Sequence, residues 1–165
     1  MAIYFTYLLR FLFERREVLE LLIEEKMGLE KGYVKAAKEA EQNDFCSRLN
    51  LVWDTPLAIN DALKENLYSC FVAVNTRLPL LIIGKPGSSK TLSLRLLMKN
   101  LGRTDDEYIK RFKSIRAFNI PGSENTVSGD IKKVFDNAHR SMIPKGSTVP
   151  LKLHELKDTL VVVFD

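Results

Sequence analysis

A short apolar run that leads into a glycine-containing loop limits what this chain can fold into. Residues 78–84 read Leu-Pro-Leu-Leu-Ile-Ile-Gly, an uncharged stretch typical of a buried parallel strand. Glycine, proline and serine dominate residues 84–89 and favour a tight turn. Leucines then recur from Thr91 to about Asn100 at helical spacing. The sequence therefore predicts a strand, a loop and a helix in direct succession.

The remainder of the chain repeats this alternation. Residues 115–120 are predicted to form a second strand, which Pro121-Gly122 ends. Residues 160–164 are an apolar run predicted to form a third strand. Between them we predict a helix capped by Thr126 or Asn125. Its predicted packing face consists of Ile131, Val134, Phe135 and Ala138. Strands that alternate with helices predict an α/β fold with a parallel sheet and flanking helices.

The first part of the chain has a different pattern, and we divide it off as an N-terminal helical segment, 1–54, ahead of a unit at 55–165. Two helices are predicted, at 5–28 and 29–43, the second ended by Asn43 and Asp44, with a connecting loop at 45–59. The first helix is predicted to be amphipathic. Its apolar face would consist of Leu8, Leu12, Leu19, Leu22 and Ile23, and its charged face of Arg10, Glu17, Glu20 and Glu24.

A third helix is predicted to begin at Asn60, a residue type that caps helix N-termini well. Its apolar residues recur at helical spacing and predict one buried face, made of Leu63, Leu67, Cys70, Phe71 and Val74.

Composition excludes several classes of protein. A net charge of +4 over 165 residues is too small and too dispersed to indicate nucleic-acid binding. The basic cluster Lys110, Arg111, Lys113 and Arg116 is interpreted as a solvated helix face. The apolar start, Met1 to Phe13, is interrupted by Arg10 and too short for a membrane span, so it is interpreted as an amphipathic or partner-packing helix.

The numbers of cysteines and histidines exclude two further kinds of site. Two cysteines and two histidines form neither a zinc module nor a disulfide framework. We interpret both cysteines as inert buried thiols of a cytoplasmic protein.

The loop before the helix has the chemistry of a phosphate site. The N-terminus of a helix offers unpaired N–H groups and partial positive charge, so it attracts anions. A lysine in that first turn, Lys90, is unfavourable unless an anion is bound. The pattern matches the P-loop, in which this lysine contacts the β- and γ-phosphates and the next hydroxyl, here Thr91, binds Mg²⁺. One residue departs from the general pattern, because Ser89 stands where glycine is usual. The backbone can still approach a phosphate if Ser89 is already helical.

An acidic residue follows the last predicted strand. Ligands of open α/β sheets bind at the carboxyl ends of the strands, where the P-loop also lies. We therefore expect Asp165 to contribute to Mg²⁺ binding together with Thr91.

With these motifs in place, the chain resembles the mysterin family of giant AAA+ RING-type E3 ubiquitin ligases. The resemblance covers about 55–165 and rests on Ala58-Ile59-Asn60-Asp61-Ala62-Leu63, Glu65-Asn66-Leu67 and the loop itself, whose serine before the lysine that family shares. It implies an ATP-binding AAA+ unit of a larger ring-like motor, with other AAA+ units and the ubiquitin machinery as partners. The cofactor-binding residues it implies are Gly84, Lys85, Pro86, Gly87, Ser88, Ser89, Lys90, Thr91 and Leu92.

The AAA+ fold also implies a strand order. In the AAA+ sheet, the fourth strand of the sequence lies between the first strand and the third strand. In this chain the first strand corresponds to 79–84 and the third to 160–164. We expect the sheet of this chain to lack that central strand, and the isolated chain to be marginally stable because two inner edges are exposed. Direct pairing of 79–84 with 160–164 would instead favour the kinase–GTPase branch of P-loop proteins.

Three functions remain open. The leading one is an ATP-binding AAA+ module, with no catalytic residue assigned; because no glutamate follows Asp165, we expect this chain to bind ATP but to hydrolyse it poorly or not at all. The second is another P-loop NTPase or kinase. The third is a degenerate AAA+ fragment that acts as an interaction scaffold. Segment Pro121–Thr126 is interpreted as a plain connecting loop.

Overall fold

The computed structural model describes residues 13–51, 59–85, 87–103, 105–152 and 155–164. Within these ranges there are five α-helices, a 3₁₀ turn and two β-strands. In chain order they are α1 (Phe13–Met27), α2 (Tyr33–Ser47), α3 (Asp61–Thr76), α4 (Lys90–Asn100), the 3₁₀ turn Ile109–Arg111, β1 (Ser114–Ile120), α5 (Ser128–Arg140) and β2 (Asp158–Phe164). The part of the predicted first helix before residue 13 lies outside the described residues.

The two strands form a parallel pair. Ser114 lies opposite Asp158 at one end of the ladder, and Ile120 lies opposite Phe164 at the other. This confirms the predicted strands at 115–120 and 160–164. Residues 160–164 therefore pair with β1, as neighbouring second and third strands do in the AAA+ order, and in the described part of the chain they do not pair with 79–84.

The predicted strand at 78–84 is wrong for this structure. These residues belong to no β-ladder, and most of their side chains face solvent, with Leu81 81% and Ile83 86% exposed. Only Ile82 packs partly against the core. Among the described residues no strand lies beside 78–84, and a strand needs a neighbour for its N–H and C=O groups.

A single core joins the helices to the sheet. As predicted, Asn60 caps α3, its side chain accepting a hydrogen bond from the N–H of Leu63 at 2.9 Å. The predicted face of α3 is buried except for Val74, which is half-buried. The core is continuous across the predicted boundary at residue 54, and comprises Phe45, Cys46, Leu49, Leu63, Leu67, Tyr68, Cys70, Phe71, Leu96, Leu97, Leu101, Ile109 and Ile115.

The end of α2 differs from the prediction. Asn43 and Asp44 do not break the helix, which runs to Ser47. Phe45 and Cys46 are buried in the core, and this burial outweighs the weak helix propensity of the two residues before them. Asp44 stays on the surface and pairs with Arg48 at 3.0 Å.

The faces of α1 also differ from the prediction. Glu24 is 3% exposed, whereas Leu22 is 50% exposed. The Glu24 carboxylate accepts hydrogen bonds from the N–H groups of Gly32 and Val34, both at 2.9 Å. A buried carboxylate is stable here because it satisfies unpaired donors at the N-terminus of α2.

Two further corrections concern the second half of the chain. The residue at the N-cap position of α5 is Val127, and Thr126 instead accepts a hydrogen bond from the N–H of Ser123 at 3.0 Å. Phe135 is 51% exposed, although Ala138 is buried as predicted.

The basic cluster is not one helix face. Lys113 donates to the carbonyl of Leu156 at 2.6 Å, and Arg116 on β1 pairs with Asp158 at 2.7 Å. These charges hold local structure together.

Candidate functional site

The loop that precedes α4 folds around the ammonium group of Lys90. Its Nζ donates to the carbonyl oxygens of Gly84 at 2.9 Å and Lys85 at 3.0 Å. A third, longer contact of 3.3 Å reaches Oγ of Ser88. The lysine thus bridges the two sides of its own loop, and the ammonium is held at the start of α4.

The geometry of the loop favours glycine at two positions. A Cβ at Gly84 would lie 2.6 Å from Oγ of Ser88, so the serine hydroxyl would have to move away from its place beside Lys90. Gly87 has a φ of 80°, a backbone angle that residues with a side chain rarely adopt. These are the turn positions that the sequence pattern assigned to glycine.

The conformation of Ser89 explains why glycine is usual at this position. Ser89 is left-handed rather than helical, with φ 59° and ψ 19°, immediately before α4. This conformation costs a residue with a Cβ about 1 kcal/mol, and glycine avoids that cost. The position is therefore one where the loop geometry itself favours glycine, and the chain forms it with serine.

The helix behind the loop is firmly seated. Leu96 and Leu97 are fully buried, as is Ser93, whose hydroxyl donates to the Ser89 carbonyl at 2.6 Å. At the other end, the Asn100 side chain accepts from the N–H of Asn50 at 2.6 Å and donates to its carbonyl at 3.1 Å. The N-terminus of α4 is therefore presented by a helix that is held in place at both ends.

One contact to the loop was not foreseen from the sequence. Asn66 on α3 donates from Nδ2 to the Ser88 carbonyl at 2.9 Å. In the sequence, Asn66 stands out only as part of the stretch that resembles the mysterin family. Nothing in the spacing of Asn66 and Ser88, 22 residues apart, could indicate that they meet.

The remaining predicted residues fall into two groups. Thr91 and Leu92 lie in the first turn of α4, half-buried, and Leu92 packs against the core. Pro86 and Asp165 lie outside the described residues, so the predicted pairing of Thr91 with Asp165 around Mg²⁺ stays a prediction.

The donor set of the loop fits a phosphate. A lysine ammonium and the N-terminal turn of an eleven-residue helix converge on one short loop. Both are positive, and oxygen anions are the ligands that such donors bind. The glycine positions also leave the backbone uncovered by side chains. The residues present are therefore compatible with the phosphates of ATP.

A second concave region lies elsewhere in the molecule. It is a cleft of about 300 Å³ between α1, α2 and α3, and none of residues 84–92 lines it. Its charges are mixed and partly paired, for example Arg16 with Glu65 at 2.6 Å. This arrangement is that of a solvated interhelical surface.

Cys46 and Cys70 are both buried and free, as predicted. Burial raises the pKa of the Cys70 thiol to about 11, so it stays protonated at neutral pH. These thiols are not nucleophiles under physiological conditions.

Over the ranges that the structure describes, no helix combines the length and the apolar character that crossing a membrane requires.

Comparison with known proteins identifies the family. The family model described as RNF213 AAA domain matches residues 56–164. The E3 ubiquitin-protein ligase rnf213-beta of Danio rerio is 31% identical over 103 residues, covering 61% of this chain and 2% of that protein. The E3 ubiquitin-protein ligase RNF213 of Mus musculus is 46% identical over 39 residues, covering 24% of this chain and 1% of that protein. The E3 ubiquitin-protein ligase RNF213 of Homo sapiens is 33% identical over 64 residues, covering 39% of this chain and 1% of that protein.

The chain thus spans only about 2% of the length of the Danio rerio relative. The family match covers the loop, α4 and both strands, and it agrees with the resemblance to mysterin, the same ligase family, that the loop sequence indicated. This chain belongs to the RNF213 AAA domain family.

Proposed function

We propose that this chain is an ATP-binding AAA+ module, in which the loop 84–90 and the first turn of α4 hold the phosphates. The observation that carries the proposal is the position of Lys90. Its ammonium spans the loop between the Gly84 and Lys85 carbonyls, at the N-terminus of a rigidly packed helix.

The contacts of Lys90 suggest how phosphate binding would proceed. An ammonium group has three donors, and two of them bond carbonyls at 3.0 Å or less. The third contact, to Ser88 Oγ at 3.3 Å, is weak enough to be exchanged for a charged phosphate oxygen. Lys90 would then bind the anion without giving up the bonds that shape the loop.

The other predicted residues have roles in the same proposal. Gly84, Lys85, Pro86, Gly87, Ser88 and Ser89 would present the backbone of the loop, and Leu92 would seat the first turn of α4. Mg²⁺ would neutralise phosphate charge, and the Thr91 hydroxyl and the Asp165 carboxylate are the groups that would hold it.

The wider context is part of the proposal. Because the chain covers a very small share of its relatives, we propose that it works as one unit of a larger RNF213-like ATPase and ubiquitin ligase. Other AAA+ units of that protein would be its immediate partners, in the cytoplasm.

Titration of a fluorescent ATP analogue with Mg²⁺ tests the site. We expect saturable binding by the wild-type chain and a loss of at least about 100-fold in affinity for Lys90→Ala, since a charge-assisted contact to phosphate is removed. Arg95→Ala is the matched control, because Arg95 is an exposed cation on the same helix. An unchanged affinity for Lys90→Ala would overturn the site. Failure of the folded wild type to bind any nucleotide would overturn the function and leave the scaffold alternative.

A further inference from the structure

The contact between α3 and the loop begins at a well-fixed position. Asn66 is half-buried, and the next residue, Leu67, is fully buried in the core. The preceding residue, Glu65, pairs with Arg16 of α1 at 2.6 Å. The backbone of α3 is therefore held on both sides of Asn66, and its side chain can act as a fixed donor toward Ser88.

This donor sets the orientation of one peptide group. Asn66 Nδ2 lies 2.9 Å from the Ser88 carbonyl oxygen, so that carbonyl points toward α3. In a planar trans peptide the C=O and the following N–H point in opposite directions. The N–H of Ser89 is therefore turned away from α3.

The orientation matters because of where the peptide lies. Ser89 is the left-handed residue immediately before α4, and its carbonyl accepts from Ser93 N–H at 2.9 Å and Ser93 Oγ at 2.6 Å. The peptide group that precedes Ser89 is thus held by Asn66 of α3, and the peptide group that follows it is held by Ser93 of α4. Together these bonds hold the φ and ψ angles that a residue with a Cβ rarely adopts.

We propose that Asn66 is a positioning residue of the nucleotide site, whose amide aims the Ser89 N–H at the bound phosphates. The inference rests on the proposed ATP-binding function and extends it to a residue on α3, outside the loop. Asn66 itself does not touch the nucleotide. A glycine at position 89 would adopt this conformation readily, so the Asn66 contact compensates for the serine.

Three variants separate positioning from general stability. Asn66→Leu keeps the approximate shape of the side chain and removes the donor. Asn66→His restores an N–H at a similar reach, because Nδ1 of imidazole can donate. Asn75→Leu is the matched control: Asn75 lies on the same helix and also donates from Nδ2 to a carbonyl, that of Phe71 at 2.7 Å.

We expect Asn66→Leu to weaken binding of the Mg²⁺-loaded fluorescent ATP analogue about three- to ten-fold, the range of one hydrogen bond. The histidine variant should recover part of this loss, and Asn75→Leu should bind as the wild type does. In ¹H–¹⁵N spectra, the Ser89 amide signal should shift on adding ATP in the wild type and much less in Asn66→Leu. The melting temperatures of the two leucine variants without nucleotide should be similar.

Each result bears on a different claim. No binding by the folded wild type overturns the proposed function and this inference with it. Binding by the wild type with unchanged affinity in Asn66→Leu overturns the inference alone. Equal affinity losses in Asn66→Leu and Asn75→Leu would also overturn it, since they would reduce the contact to a stability effect.

Discussion

Residues 78–84 and residues 160–164 of β2 are two apolar runs with opposite outcomes. The first is rich in Leu and Ile and the second in Val, and the sequence predicts a buried strand for each. β2 pairs along its whole length with β1, whereas 78–84 has no ladder and most of its side chains are exposed. The difference shows that an apolar run gives a chain the capacity to form a strand, and that a neighbouring strand decides whether it does.

The largest contrast should come from placing a charge in each run. Val161 lies on β2 opposite Ala117 and packs against the core, so Val161→Asp should cost about 3 kcal/mol of unfolding free energy. Leu81 is 81% exposed, so Leu81→Asp should change it by less than about 0.5 kcal/mol. Urea denaturation followed by circular dichroism measures both. Similar losses for the two variants would show that 78–84 is part of the sheet in solution.

Amide exchange tests the same contrast without mutation. Hydrogen-bonded amides of β2 should exchange at least about 100-fold more slowly than those of residues 80–83, which have no ladder. Hydrogen–deuterium exchange with peptide-level or NMR detection gives this ratio. Comparable protection of β2 and residues 80–83 would contradict the absence of a ladder at 80–83.

A smaller effect is expected inside the unpaired run, because only one of its side chains is anchored. Ile82 packs partly against the core, so Ile82→Ala should cost about 1–1.5 kcal/mol. Its neighbour Ile83 is 86% exposed, so Ile83→Ala should stay within about 0.5 kcal/mol. Equal effects in thermal or urea unfolding would mean that the run is held in a different way.

The smallest effect concerns the start of the β1–β2 ladder. The Ser114 hydroxyl hydrogen-bonds Asp158 and, with the Arg116 ion pair, lowers the pKa of that carboxyl. A carboxyl with a lowered pKa in the folded state stabilises the fold above its unfolded pKa, about 3.9, and this stability is lost as the pH falls through the lower folded value.

Asp158→Asn should therefore cost about 1 kcal/mol at pH 7, and the difference from wild type should shrink as the pH falls below about 4. The control is Asp105→Asn, which removes an exposed carboxyl paired with Lys110 at 3.6 Å. Unfolding measured from pH 7 to pH 3 gives both curves. A difference between Asp158→Asn and wild type that does not depend on pH would show that the carboxylate charge is not what stabilises the ladder.

The sequence predictions are accurate where a feature depends on residues close in sequence, and they fail where it depends on residues far apart in the chain. The Asn60 cap, the buried face of α3 and the two glycine turns depend on residues close in sequence, and the structure confirms them. The predicted end of α2 was wrong because contacts of Phe45 and Cys46 with distant helices override the preference of Asn43 and Asp44. Glu24 was assigned to the solvent face because its acceptor role depends on the following helix.

The candidate site shows the same division. The sequence by itself determined the glycine turn, the lysine in the first turn of α4 and the membership of the RNF213 AAA domain family, because each rests on a run of adjacent residues. Only the tertiary structure decided that Ser89 is left-handed, that Asn66 contacts the loop and that 78–84 belongs to no ladder. These features depend on hydrogen-bond partners that lie far away along the chain, and such partners are brought together only when the chain has folded.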